Sequence, residues 1–147
     1  MKPVLETKST YKGYPYVVLF MPGAYRCGYV GVPYSHKLAK KSVDDLWYLD
    51  CHGGVTYAKS HLYDCDDKDT WWIGFDCAHC FDGYDIEKAE QYFGEEPEFK
   101  KMFKITGGFW RELNKEPEIK IRSLAYVKDE CKKLIDQIEK GVMPVEL

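Results

Sequence analysis

His52 and His79 are the residues around which chemistry can be built. Each follows an apolar stretch and has carboxylates close by: Asp50 beside His52, and Asp76 and Asp82 flanking His79. Imidazole is the side chain that titrates nearest neutrality, and a carboxylate against one ring nitrogen fixes its tautomer and orientation. His52, Asp76 and His79 are therefore the candidate catalytic group. Cys77 and Cys80 bracket His79 in a Cys-x-x-Cys step, and Cys51 precedes His52. Thiolate, imidazole and carboxylate are all zinc ligands, so zinc is the ion these residue types favour. The spacing is imperfect, because Cys51 and His52 are neighbours in an extended run and point to opposite faces. Small buried thiols in an apolar core are the competing meaning of the same cysteines, and the sequence leaves metal binding open.

Other groups supply a ligand's remaining contacts. Gly53 and Gly54 follow His52 directly, a pair that permits a tight turn and also exposes N–H groups to an anion. Arg26 and Thr56 are candidates for an anionic part of a ligand, with Tyr57 and Trp72 as stacking surfaces. A thiol nucleophile is not favoured, since Cys77 and His79 two residues apart on one strand do not form a hydrogen-bonded pair by themselves. No serine sits in a nucleophile elbow, and neither a phosphate loop nor a dinucleotide fingerprint is present.

These residues need a frame. Residues 71–75 (Trp-Trp-Ile-Gly-Phe) are apolar on both alternating faces, as expected of a central strand covered above and below, with Gly74 marking a bulge or a close approach. A turn after Asp76 would bring Asp76 and His79 together, which the cost of burying an unpartnered carboxylate favours. Residues 14–20 and 25–32 read as a hairpin about Pro22-Gly23, in which Arg26 is a candidate inward cation. Residues 2–13 read as an edge or loose lead-in, 34–45 as an exposed connection, 46–51 as a third strand and 55–58 as a fourth. Asp64, Asp66, Asp67 and Asp69 form a solvated acidic tip, since the order lacks the glycine and distant glutamate of a calcium loop. Residues 85–93 and 97–103 favour short helices, with Gly94 and Gly107-Gly108 as stops. Residues 118–141 carry an apolar stripe, among it Ile121, Leu124, Cys131, Leu134, Ile135 and Ile138, and predict an amphipathic helix ended by Gly141.

At 147 residues the chain has the size of one domain able to bury a core without metals or disulfides. A net charge of -3 argues against general nucleic-acid binding. The first apolar run is short, no stretch is long enough to span a bilayer, and the six cysteines come with no secretory feature. A cytoplasmic protein with reduced thiols is expected.

Arg26-Cys27-Gly28-Tyr29-Val30, His52-Gly53-Gly54-Val55-Thr56-Tyr57, the run from Trp71 to His79, and Tyr126-Val127-Lys128-Asp129-Glu130-Cys131 together resemble a family of small uncharacterised proteins of bacteriophages, prophages and their hosts. Family members tend to carry a small residue where this chain has Cys80 and a glycine-aspartate step where it has Phe81-Asp82. The resemblance implies a setting, not an activity: a phage-type accessory protein, including counter-defence inhibitors, that binds a host-made small molecule or a host defence protein. It adds Glu130 to the candidate ligand-binding residues and strengthens Arg26, His52, Asp76 and His79. The alternative is a metal-assisted or His/Asp hydrolase acting on a nucleotide-like ligand. The expected architecture is one α+β domain: a mainly antiparallel sheet, a C-terminal amphipathic helix on one face, and a polar pocket where the His52-Gly53-Gly54 turn meets Asp76 and His79.

Overall fold

A computed structural model describes residues 1–65 and 67–145. They form a five-stranded antiparallel sheet, in the order β1-β2-β3-β5-β4, and three helices. The strands are β1 (Val4–Tyr11), β2 (Tyr14–Met21), β3 (Tyr25–Pro33), β4 (Tyr57–Lys59) and β5 (Thr70–Asp76). The helices are α1 (Ile86–Phe93), α2 (Pro97–Asn114) and α3 (Leu124–Lys140). The fold is α+β, with the C-terminal helix packed on the sheet. Among the described residues no helix is long and apolar enough to cross a membrane.

The alternation of β2 and β3 builds two cores at once. Tyr16, Val18, Val30, Val32, Ile73 and Phe75 face α3, where Val127, Cys131, Leu134, Ile135 and Ile138 complete the layer. Val17, Leu19, Tyr29 and Trp72 face the other way and are covered by Leu62 and Cys65. Strands covered on both sides need no polar face, which explains the continuous apolar runs. β5 is interior, between β3 and the short β4, although the middle position belongs to β3. Gly74 is a place of close approach: a Cβ there would lie 2.5 Å from the Tyr29 ring.

β1 is an edge strand along β2, with a register shift between Leu5 and Thr7. Such an irregularity re-aims a side chain, and here Glu6 lies next to Arg26 with almost no exposure. Arg26 is inward, as its register implied, but it is not available to a ligand. Its Nε donates to Glu6 at 2.7 Å, and its Nη1 donates to Asp85 at 2.8 Å and to the Arg122 carbonyl at 3.0 Å. Asp85 is also the N-cap of α1, accepting from the Lys88 N–H. One guanidinium thus ties β1, the start of α1 and the approach to α3 together, with every charge partnered inside the protein.

Three expected elements differ. Residues 46–51 are not a strand: a 3-10 turn, Asp44–Leu46, precedes an irregular segment. Ser42 and Asp45 cap one another, the Asp45 N–H donating to Ser42 Oγ and the Ser42 N–H to Asp45 Oδ2, both at 3.2 Å. This reciprocal pair favours a turn over an extended start. α2 does not stop at Gly107-Gly108 but continues to Asn114, burying Trp110 beneath Tyr84. α3 begins only at Leu124, with Ser123 as its N-cap, so Ile121 lies outside the stripe and is exposed. In the acidic tip, Asp64 and Asp69 are exposed and Asp67 pairs with Lys8 at 2.7 Å; Asp66 lies outside the described residues.

Candidate functional site

β5 ends at Asp76, and the chain then turns tightly enough to fold back on itself. The Asp82 N–H donates to the His79 carbonyl at 3.0 Å, while the His79 N–H donates to Asp82 Oδ2, also at 3.0 Å. The outer side of this turn is pinned to the approach to α3, where the Lys120 N–H donates to the Phe81 carbonyl and the Gly83 N–H to the Lys120 carbonyl. Asp82 is thereby held inside, only 2% exposed at its side chain. Two imidazoles meet there. His52 arrives from the 51–54 turn, and its ring centroid lies 5.8 Å from that of His79.

His52 is committed at both nitrogens. Nε2 is 2.9 Å from Asp82 Oδ2, and Nδ1 is 2.8 Å from the Tyr126 hydroxyl on the first turn of α3. The other Asp82 oxygen accepts from Arg122 Nε at 2.8 Å. Burial by itself raises the Asp82 pKa, but the hydrogen bonds from His52, Arg122 and the His79 N–H outweigh it and hold the carboxyl below its ordinary value. Burial raises the Tyr126 pKa, reinforced by the nearby Glu130 charge, so the phenol keeps its proton. With Asp82 ionised, its contact with His52 is a hydrogen bond donated from Nε2, while the Tyr126 hydroxyl can either donate to Nδ1 or accept from it.

His79 is held more loosely and is more open. Its Nδ1 lies 3.5 Å from Asp82 Oδ2 and its Nε2 3.6 Å from Asp76 Oδ1, and its side chain is 36% exposed. Asp76 is itself fixed, accepting from Thr56 Oγ1 at 3.0 Å and from the Ala78 N–H at 3.1 Å. The expected turn after Asp76 does bring Asp76 and His79 together, but the carboxylate shared by both histidines is Asp82. Gly53 makes room for the arrangement. A Cβ there would stand 2.2 Å from His79 Cε1, and its φ of +69° lies in the left-handed region.

His79 and Asp82 sit at one side of a cleft of about 290 Å3, whose wall also includes Tyr25, Cys77, Tyr84 and Trp110. Tyr84 and Trp110 stack on one another at 4.9 Å. A larger opening of about 360 Å3, bordered by Leu38, Tyr48 and Met143, lies elsewhere and has neither histidine in its wall. Its charged groups are lysines and Asp45 at a rim, so the smaller cleft is the one with convergent chemistry.

His52, Gly53, Thr56, Asp76 and His79 therefore belong to one neighbourhood, and the other candidates do not. Thr56 serves Asp76 rather than a ligand. The Gly54 N–H closes the turn onto the Cys51 carbonyl at 2.9 Å and is not free for an anion. Trp72 is fully buried and Tyr57 packs edge-on against Tyr29, both in the layer facing away from α3. Neither offers a stacking face to the cleft. Arg26 is spent in its own ion-pair cluster, and Glu130 has Lys133 as its ion-pair partner at 3.9 Å. Cys51 and Cys77 are buried and Cys80 is exposed. The Cys77/Cys80 pair contributes nothing to the cluster of metal-competent groups, which among the described residues is His52, His79 and Asp82. Arg122 and Tyr126 were missed as site residues. Tyr126 stood in a block of the resemblance, but its partner is 74 residues away and no local spacing reveals the contact.

No family model, no curated protein and no solved structure matches the chain.

Proposed function

We propose that this is a phage-type accessory protein that captures a small polar host-made molecule in the cleft walled by His79 and Asp82. The observation that supports this most is the open His79 imidazole, held over Gly53 at a cleft that also presents Tyr25 and the stacked Tyr84–Trp110 pair. A polar group meets the histidine side, and a planar or apolar portion meets the rings. The cytoplasm of the host is the compartment in which such a ligand would be met. Protein passed through a host lysate and repurified tests the reading, with small molecules released by denaturation and identified by mass spectrometry. The expected result is one compound near stoichiometric amount, retained by wild type and strongly reduced in His79→Ala. An empty wild type, or equal retention by His79→Ala, contradicts it. Retention of a host protein with no small molecule selects the defence-protein inhibitor instead.

A His/Asp hydrolase of a nucleotide-like ligand is the second reading, favoured by one specific observation. His52 is saturated, whereas His79 keeps only long contacts to two carboxylates and has access to the cleft. That leaves His79 as the general base, with Asp76 orienting the ring from behind. Turnover of a panel of nucleotide phosphodiesters, lost in His79→Ala and weakened in Asp76→Asn, is the expected result. A panel left wholly intact removes this reading.

A further inference from the structure

We infer that His52 Nε2, His79 Nδ1 and Asp82 Oδ2 form a binding site for a divalent transition-metal ion of the zinc type. This goes beyond capture of an organic ligand and rests on geometry alone. One ligand atom from each of the three residues lies within 4.8 Å of those of the other two. A tetrahedral ion with bonds of about 2.0–2.1 Å sets its ligand atoms roughly 3.3 Å apart. Two of the contacts already bracket that spacing, with Asp82 Oδ2 at 2.9 Å from His52 Nε2 and 3.5 Å from His79 Nδ1. The adjustment needed is an inward movement of His79, the loosely held and partly exposed member of the three.

Each ligand is backed at its other polar atom, the arrangement that orients metal ligands. Tyr126 holds His52 Nδ1, Asp76 faces His79 Nε2, and Arg122 holds Asp82 Oδ1. Asp76 in turn is fixed by Thr56 and the Ala78 N–H. Proton positions are compatible with coordination. An ion on His52 Nε2 requires the imidazole proton on Nδ1, and the Tyr126 oxygen can accept it as readily as its hydroxyl donates. An ion on His79 Nδ1 leaves a proton on Nε2, directed at the Asp76 carboxylate. Two imidazoles and one carboxylate select zinc, iron, cobalt or nickel over calcium or magnesium, which prefer oxygen. Three protein ligands leave a coordination position, and because His79 and Asp82 both line the cleft, that position is accessible to a molecule in it. The bound ion would supply a Lewis acid there.

Tag-free protein, stripped with chelator and titrated with zinc chloride by calorimetry, tests the site. The expected result is one equivalent bound at micromolar affinity or tighter. Zinc should also displace the His52 Nε2 proton and leave the ring protonated at Nδ1, read by long-range 15N–1H NMR of the imidazoles. His79→Ala, altered at a partly exposed position, is expected to weaken binding at least a hundredfold. Tyr126→Phe and Asp76→Asn should each weaken it about ten- to a hundredfold, and Cys80→Ser should not change it. Wild-type affinity weaker than about 100 μM overturns the assignment. So does binding unchanged in His79→Ala, or binding lost in Cys80→Ser. Because the probe is zinc alone, this result is independent of whether the cleft captures an organic ligand.

Discussion

Asp82 organises the site because a buried carboxylate must be surrounded by donors, and it has recruited three of different kinds: an imidazole, a guanidinium and a backbone N–H. Gly53 and Gly54 give the sharpest test at this scale. Both have positive φ, but a Cβ on Gly53 would strike the His79 ring, whereas Gly54 has open space around it. Gly53→Ala should cost about 1–2 kcal/mol from the left-handed backbone and also displace His79, abolishing ligand and zinc binding. Gly54→Ala should carry a similar backbone cost and leave binding within about twofold. Denaturant unfolding and zinc calorimetry on the two variants separate the effects; equal binding by both would show that the His79 ring does not rest over Gly53. Phe81 is the opposite case, a 58% exposed phenylalanine held at φ +73°. Phe81→Gly should raise stability by up to about 1 kcal/mol, seen as a higher denaturant midpoint with an unchanged slope; a lower midpoint would mean that ring contacts outweigh the backbone strain. The histidines, Asp76 and the turn that joins them to the strand were legible from residue type and spacing. Asp82 was visible only as one of several nearby acids, and Arg122 and Tyr126 were not visible as partners, because their contacts depend on where α3 begins.

Local periodicity succeeded at the level of elements where burial is one-sided or complete, and failed where a short polar motif overrides it. The hairpin of β2 and β3, the interior β5 and the stripe of α3 follow directly from their apolar positions. Residues 46–51 looked extended because Leu, Trp and Tyr dominate them. The Ser42–Asp45 capping pair had already set a helical turn, and Gln137 on α3 ties Asp50 by accepting from its N–H at 2.8 Å and donating to its carbonyl at 2.6 Å. The glycine pair in α2 misled for a related reason. Gly107 is buried where Phe103 packs over it, with a Cβ 2.8 Å from that ring, while Gly108 is exposed and meets nothing. Glycine was read as a stop, but at Gly107 it relieves crowding. Gly108→Ala should therefore stabilise the protein by about 0.5–1 kcal/mol, whereas Gly107→Ala should show no such gain because Phe103 must shift. Thermal melts of both variants check this, and a destabilised Gly108→Ala would mean that α2 is not a regular helix at that point.

The whole molecule is a sheet with a core on each side, closed at one end by α1 and α2 around Phe20, Phe93, Phe99 and Trp110. Sulfur chemistry follows from that architecture. Five cysteines are buried and Cys80 is exposed. Burial pushes the thiols of Cys27, Cys51 and Cys131 up to about 12, and that of Cys77 upward as well. In native protein at pH 8, a thiol reagent should modify one cysteine rapidly and the other five only after denaturant is added. A second fast-reacting thiol would reveal an opening of the core. The α+β class was legible from the sequence because it depends on apolar patterning. The approach of the His52 turn to His79 was expected from the sequence, but the joining of both to Asp82 and Tyr126 was not, since it depends on how the turns after the strands stack against the start of α3.

The account depends on that meeting, and proton NMR tests it most directly. Nuclear Overhauser spectra of native protein should show cross-peaks between the ring protons of His52 and His79, together with a slowly exchanging His52 Nε2–H hydrogen-bonded to Asp82. Both signals should be altered in Gly53→Ala. Assigned, narrow imidazole resonances with no contact between the two rings, and a His52 ring carrying no proton on Nε2 before any metal is added, would contradict the site.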